Sequence, residues 1–485
     1  MARYNYDRLS AQDNSFLLFE THNLPMHVSS ILIFDAGPLR TPEGGVDVDA
    51  IRRATAGLLH RIPRYRQKLH WVPLDRHAVW VDDPRFKLDF HMRHTALPKP
   101  GSDEQLRRLA ARIMAQPLDP ARPLWESWIV EGLHGGERFA LIQKIHHCMI
   151  DGASGVDLAH VLLSPSPEAA EPPPVPDFVP RPAPTRTQLW LDETARRLAL
   201  PSQAVRRFRE FARETQDLRE ELRVRGNAIL NLLGSGMTAE ATPLNGKVGP
   251  HRRFDWIDVP LDGMKAIRRS LGCTINDVVL TAVTGAVREY LLYRGVSPER
   301  TVFRASAPVS IRREEEKGKL GNRVSSWLIP LPIRESDPRR QLEEIVRQTQ
   351  ELKETRQALG VEMMMGVAEW TPSILLSLGA RSISGPVNTI VTNVPGPQFP
   401  LYLCGARLRA LYPQAPLLEG MGLAIGLISY DGCVHWGIVS DPDLVPDADV
   451  FVDLVSASLR RLAETAGLAA TTTEPASETP APSLH

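Results

Sequence analysis

The 485-residue chain has only four cysteines, Cys148, Cys273, Cys404 and Cys433, scattered with no CxxC pair. That spacing argues against a disulfide framework and a thiolate metal site, and it fits a reducing cytoplasm. Excess charge of either sign is also missing, since Lys+Arg and Asp+Glu both number 57. A chain with no net charge has no global attraction for nucleic acid, and only local basic patches stay open. No apolar run approaches the roughly 18–20 residues that a spanning helix needs, so any membrane contact is expected to be peripheral. The opening MARYNYDRLSAQDNSF lacks the continuous apolar core of a signal peptide. A phosphate-cradling Gly-rich loop and an HExxH are absent too, so no cofactor is expected.

What remains is 43% hydrophobic and 24% charged, the composition of a globular protein. The length calls for two domains of roughly 150–220 residues each. Residues 26–36, MHVSSILIFDA, are β-branched and apolar and predict a strand. DAIRRATAGLLH, from Asp49, has apolar residues at helical spacing, and residues 103–115 predict another helix. PLWESWIVEGL and ERFALIQKIHH read as strands, and ASGVDLAHVLL reads as a helix after the turn that follows.

Residues 164–186 contain nine prolines and cannot complete a regular hydrogen-bond pattern. They mark a linker. Residues 187–233 form a charged helical region, read either as a solvated bundle helix or as a membrane-surface helix. From Arg252 a second alternation begins: FDWIDVPL, TVFRASAPVSI, NRVSSWLIPLPI, VNTIVTNVPGP and AIGLISYDGCVHWGIVSD as strands, MKAIRRSLG and INDVVLTAVTGAVREYLLYRG as helices. The resulting division is 1–163, a crossover linker with helices over 164–245, a second half over 246–465, and a low-complexity tail from 466 to 485. Both halves are α/β.

The stretch KIHHCMIDGASG, Lys144 to Gly155, ends a buried strand on two imidazoles. A metal site would use histidine and aspartate four apart, but Gly152 and the preceding strand argue against a helix there, and no third ligand stands out. A structural role would bury both rings in hydrogen bonds. Catalysis is the third reading, since an imidazole with a pKa of about 6.5 suits a general base. Period-two alternation sends His146 and His147 to opposite sides, so one works and the other props. Asp151 and Gly152 suit a tight turn, and a buried carboxylate at position 151 needs a cationic partner such as an arginine in IPRYRQKL. A Cys148–His147 nucleophilic pair would need side chains that diverge on a strand.

HHCMIDG matches the HHxxxDG signature of acyltransferases with the chloramphenicol acetyltransferase-like fold. LSAQDNSFLLFETHNLPMHVSSILIF, PLWE at Pro123 to Glu126, GCTINDVVLTAV and VTNVPGPQFPLYLCGARL together resemble the bacterial wax ester synthase/diacylglycerol acyltransferase family over residues 8–462. The resemblance implies two chloramphenicol acetyltransferase-like subdomains, each a mixed β-sheet flanked by helices, with a substrate tunnel between them. It implies that His147 is the base, taking the proton of an alcohol that attacks the thioester of a long-chain acyl-CoA directly. His146 would hold the strand end, and Asp151 would pair with an early arginine, for which the aligned segment points to Arg66.

TIND, Thr274 to Asp277, has the spacing of a helix capping box and needs no function for Asn276. The resemblance adds one: Asn276 binding the alcohol or the developing oxyanion, a donor typically worth about 2.7–4 kcal/mol. Pro123, Leu124 and Trp125 are expected to wall the substrate channel, and Asn393, opening NVPGP, to shape the site. SYDGCVHWG is expected to be a structural hairpin. Implied partners are acyl-CoA as substrate rather than cofactor, diacylglycerol or a fatty alcohol, and a membrane or lipid-droplet surface at the inner face; no nucleic acid, and a monomer or homodimer. A carrier-protein-bound acyl donor and a silent lipid-binding homologue are the alternatives.

Overall fold

A computed structural model describes residues 6–75, 77–149, 162–168, 175–199, 240–310, 324–354 and 387–469. Helix α1 (Ala11–Phe19) starts at an N-cap, Ser10, whose hydroxyl accepts the Asp13 N–H. It leads into β2 (His27–Asp35), after the two-residue β1 (Asp7–Arg8). Helix α2 (Val48–Leu58) begins at Asp47, whose carboxylate accepts the Ala50 N–H. Strands β3 (Gln67–Trp71) and β4 (Ala78–Asp82) then form a small sheet in the order β1-β4-β3. A short α3 (Leu88–His91), β5 (Met92–Ala96) and α4 (Asp103–Ala115) follow, and α4 opens on a complete Ser102–Gln105 capping box. Strands β6 (Trp125–Leu133) and β7 (Arg138–His146) close the first half.

The linker is not free of the body. Arg181 in the proline-rich stretch donates from its backbone and guanidinium to Asp82 at 2.9–3.0 Å. Helix α5, over residues 186–199, lays Leu189 against Val72, Val79 and Val81 of the small sheet. The helix expected over ASGVDLAHVLL, most of the long charged helical region, and the tail lie largely outside the described residues.

The second half contributes β8 (Arg253–Pro260), α6 (Leu261–Leu271), α7 (Ile275–Tyr293), β9 (Phe303–Ser310), β10 (Val324–Leu331), α8 (Pro338–Glu354), β11 (Thr389–Pro395), β12 (Tyr402–Leu403), β13 (Ala406–Gln414), β14 (Leu423–Tyr430), β15 (Cys433–Ser440) and α9 (Ala448–Thr465). Its sheet has the order β10-β9-β11-β14-β15-β8, with β11 parallel to β9 and β14. Alternation along β14 sends Leu423, Ile425 and Leu427 into one core with α6 to α9, and Ala424 and Ile428 toward the first half.

The first sheet has the order β12-β13-β2-β7-β6-β5. Strands β12 and β13 come from residues beyond 400, so the linear division at 163 and 246 does not divide the sheets. Strand β13 pairs with β2 while its face crosses the second sheet: the Tyr412 hydroxyl donates to Asp258 Oδ2 at 2.8 Å, and Tyr412 stacks on Trp256. Chain exchange of this kind ties the halves through backbone hydrogen bonds as well as apolar contact.

Candidate active site

Strand β7 alternates cleanly. Phe139, Leu141 and Ile145 join the core under α2 and the small sheet, while Ala140 and Ile142 face α4 and the second sheet. Lys144 and His146 share the α4 side. Lys144 Nζ is wholly buried and donates to the Ile113 and Gln116 carbonyls at 3.0 and 2.6 Å, capping α4. Burial lowers the Lys144 pKa to about 8, with Glu126 at 3.9 Å opposing that shift. His27 lies directly opposite His146 across β2 and β7, with its Nε2 against the Met114 carbonyl at 2.5 Å. Burial, then the Lys144 charge, holds His27 well below the ordinary histidine range, so it is neutral.

His146 is 1% exposed. Its Nδ1 accepts the Cys148 N–H at 3.1 Å, which places the ring proton on Nε2, 3.4 Å from Glu20 Oε2. His147 comes one residue after β7, in the turn. It is half-buried, its N–H donates to the Met26 carbonyl at 2.8 Å, and its ring stacks on Phe16 of α1 at 4.0 Å with 13° between planes. The two imidazoles therefore sit in different surroundings, one sealed behind α4 and one under α1. Cys148, 3% exposed, has its thiol pKa pushed well up by burial, which opposes a nucleophilic thiolate.

Asp151 and Gly152 lie outside the described residues. The guanidinium of Arg66 lies over the Phe178 ring at 4.2 Å. The Arg64 guanidinium donates to Gln67 Oε1 at 2.8 Å, lies 3.7 Å from Asp7 and covers the Trp80 ring at 4.7 Å; burial lowers its pKa and Asp7 opposes that shift. The two arginines share one 3₁₀ turn and one side-chain type, so only direction, which the sequence does not carry, separates them.

Leu124 and Trp125 are both buried, and the Leu124 carbonyl accepts the His146 N–H at 3.0 Å. Trp125 stacks between Tyr65 and His91 and donates its indole N–H to the Tyr65 carbonyl at 2.9 Å. Together with Ile145, Thr55 and Met92 it lines a cavity of about 20 Å³, room for one water-sized group and not for an acyl chain. Pro123 is buried beside it.

Asn276 is the second residue of α7, behind a complete Thr274–Asp277 capping box. Asp277 is further engaged by the Thr349 hydroxyl at 2.9 Å. Among the described residues the half-buried Asn276 amide makes no hydrogen bond, and no contact joins it to His147. The C-terminal end of α7 meets the start of α9, where Tyr290 and Arg294 bond Asp447, and α9 begins beside Arg253. Its 19 residues, about 28 Å, therefore carry Asn276 toward the other end of the second sheet, where β11, β14 and β8 finish. Asn393 is there, paired with Leu427, and alternation puts it on the helix-covered face with Val391. The NVPGP turn is pinned by Gly396 N–H to Ser429 Oγ at 3.2 Å.

SYDGCVHWG forms the β14–β15 hairpin, turning on Asp431 and Gly432 with φ of 43° and 83°. It holds Asp258, Cys433 and His435 close together. Each has a protein partner: His435 Nδ1 meets Asp258 Oδ1 at 2.6 Å, and the Cys433 thiol donates to the Val259 carbonyl at 3.5 Å. With Tyr412 on Asp258, the cluster works as a tie between the sheets.

Two mixed sheets sharing an exchanged strand, with the HHxxxDG histidines at the end of a central strand, define the two-lobed acyltransferase class. Residues 9–279 match the model of the wax ester synthase/diacylglycerol acyltransferase catalytic domain, and residues 320–463 match the C-terminal domain of the same family. A Mycobacterium tuberculosis protein named as a diacylglycerol O-acyltransferase is 32% identical over 94% of this chain and 90% of its own length. A second from that organism, tgs1, is 31% identical over 94% and 97%. The solved wax ester synthase/diacylglycerol acyltransferase from Marinobacter aquaeolei VT8 aligns with a TM-score of 0.65 and 26% identity, over 95% of this chain and 100% of that one. The first condensation domain of the calcium-dependent antibiotic synthetase shares the fold at a TM-score of 0.61 and 15% identity, over 97% of this chain and 99% of that one. The chain belongs to the wax ester synthase/diacylglycerol acyltransferase family, and it is an acyltransferase.

Proposed function

We propose that the chain moves a long-chain acyl group from acyl-CoA to diacylglycerol or a long-chain fatty alcohol, with His147 as general base. The observation that carries this reading is the placement of His147: past the strand end, half-buried, and held by its backbone and ring face. The alcohol proton passes to the imidazole as the oxygen attacks the thioester carbonyl. The tetrahedral oxyanion then collapses, the C–S bond breaks, and the imidazolium returns the proton to the CoA sulfur. Ester and free CoA leave, no acyl-enzyme forms, and the chemistry balances with no cofactor. The Asn276 amide, uncommitted among the described residues, is assigned to the oxyanion or the acceptor hydroxyl. Asp151 is assigned as an anchor for the turn, with Arg66 as the partner that the family resemblance implies.

Two water-insoluble chains meeting at one imidazole favour a tunnel between the lobes and a protein that docks on a membrane inner face or lipid droplet. Exposed apolar side chains on the small sheet and α5 support docking there. Leu74 is 88% exposed with φ of +68°, and Trp71, Trp190, Leu191 and Leu198 are exposed on the same two elements or the turn between them.

The test offers radiolabelled palmitoyl-CoA with hexadecanol and with dipalmitoylglycerol separately, and resolves the products by thin-layer chromatography. Wax ester or triacylglycerol from the purified chain alone is expected, and it is lost in His147→Ala. No turnover of acyl-CoA would move the donor to a carrier protein; undiminished turnover in His147→Ala would remove the base.

A further inference from the structure

We infer that α1 is the positioning element of the histidine pair, with Phe16 fixing the ring plane of His147 and Glu20 locking the turn that presents it. The inference rests on the reading of His147 as the base and goes beyond it, because neither residue touches the reacting atoms.

Three contacts converge from one short helix. Phe16 covers one face of the His147 ring. Glu20, four residues on and therefore about one helical turn away, is the C-cap of α1. Its Oε1 accepts the Met26 N–H at 3.1 Å, and the Met26 carbonyl in turn accepts the His147 N–H at 2.8 Å. Its Oε2 faces His146 Nε2 at 3.4 Å. One carboxylate thus holds the backbone of one histidine through a single peptide and lies beside the ring of the other, within 3.4 Å and without a hydrogen bond. The helix is itself fastened: Asn14, buried, accepts the Ala78 N–H from the small sheet at 3.0 Å.

A general base works through an in-plane lone pair, so its ring plane decides where the proton goes. An aromatic face fixes that plane and occupies neither nitrogen. A hydrogen bond would do the same only by committing a nitrogen. An aliphatic residue of similar size would fill the space at Phe16 without constraining rotation of the ring.

The test compares Phe16→Leu, Phe16→Tyr, Glu20→Ala and His147→Ala by steady-state kinetics across pH. Phe16→Leu is expected to lower kcat roughly 10- to 100-fold with KM for acyl-CoA unchanged, as misplacement of a reacting group does. Its kcat/KM profile should lose the acidic limb at lower pH, since an aromatic face favours the imidazolium. The charged and titratable groups around the pair, Asp13 and Glu20 on α1, Arg64 before β3, His27 on β2 and Lys144 on β7, are unchanged in that variant. Phe16→Tyr should restore both kcat and the profile. Glu20→Ala, which leaves the Phe16 stack in place, should lower kcat with unchanged KM. Wild-type kcat and pH profile in Phe16→Leu, or a loss that Phe16→Tyr does not rescue, overturns the role of Phe16; wild-type kcat in Glu20→Ala overturns that of Glu20. If His147→Ala keeps its turnover, the base assignment itself fails. If His147→Ala is dead while Phe16→Leu and Glu20→Ala are unaffected, only the positioning by α1 fails.

Discussion

Lys144 and Gln116 meet inside the first lobe, where a fully buried ammonium donates to the carbonyl just past α4 at 2.6 Å. The same group bonds the Ile113 carbonyl, so one side chain from β7 satisfies two carbonyls of the helix end. Two residues later the strand delivers His146. A charge in so apolar a place is held only because its hydrogen bonds are complete, and removing it would leave both carbonyls bare.

The pH dependence of that arrangement has a definite sign. Burial lowers the Lys144 pKa from 10.5 to about 8. Between those values the unfolded chain binds the proton and the folded chain does not, so stability rises with pH. The penalty of the buried charge is fully present below pH 8 and relieved by pH 10.5, a change of ~3 kcal/mol. Urea unfolding of wild type and Lys144→Met should therefore diverge in favour of wild type across that window. A constant gap would mean that the lysine keeps its proton.

The acid side runs through histidines. His77, buried, keeps its Nε2 on the Leu9 carbonyl at 3.0 Å, and burial, then Arg8, lowers its pKa from 6.5 to about 4. His27 is shifted in the same direction by burial and Lys144. Below pH 6.5 the unfolded state takes up protons that the folded state refuses, so stability falls as pH falls toward 4. The His77 share is ~2 kcal/mol by pH 5. A His77→Gln variant should lose less stability between pH 7.5 and 5 than wild type does, measured as the shift in urea midpoint.

At α7 the structural and functional roles fall on different residues. Thr274 accepts the Asp277 N–H and Asp277 returns a bond to the Thr274 N–H, so Thr274→Ala should cost ~1 kcal/mol of stability. Asn276 takes no part in that box. Asn276→Ala should leave the unfolding midpoint within about 0.5 kcal/mol while lowering kcat by roughly 10²- to 10³-fold. A variant with full kcat would return the asparagine to the surface of the helix.

Much of this was legible in the residues. The strand ending at His146 was visible as an apolar run, and the capping box at Thr274 follows from spacing alone. Alternation puts the two imidazoles on different sides, and the turn after β7 places His147 under α1. What was not legible is contact across distance. Phe16 and Glu20 meet the histidines from more than a hundred residues away, and nothing in AQDNSFLLFE marks them as partners of a turn at 147. The exchange of β12 and β13 is hidden for the same reason: ARLRALYPQ is not among the strands expected from the sequence, and its pairing with β2 is a property of both strands. Arg64 and Arg66 were indistinguishable because direction in a 3₁₀ turn is set by packing on Trp80 and Phe178.

The exchanged strand makes the sharpest structural prediction. Gly426 and Gly437 face each other across β14 and β15, directly under Pro413 of β13. A Cβ on Gly437 would overlap the Pro413 carbonyl, a backbone atom held in the first sheet by its pairing with β2. A Cβ on Gly426 would meet the Pro413 ring at 3.3–3.4 Å, tight but yielding. Gly437→Ala should therefore cost ~3 kcal/mol or more, because two sheets must separate to admit one methyl group. Gly426→Ala should cost about 1 kcal/mol or less, with the strand's gain in backbone rigidity offsetting the crowding. Paired urea titrations check this: equal midpoints for the two variants would mean that β13 does not cross the second sheet at this point, and that the lobes are held together in some other way.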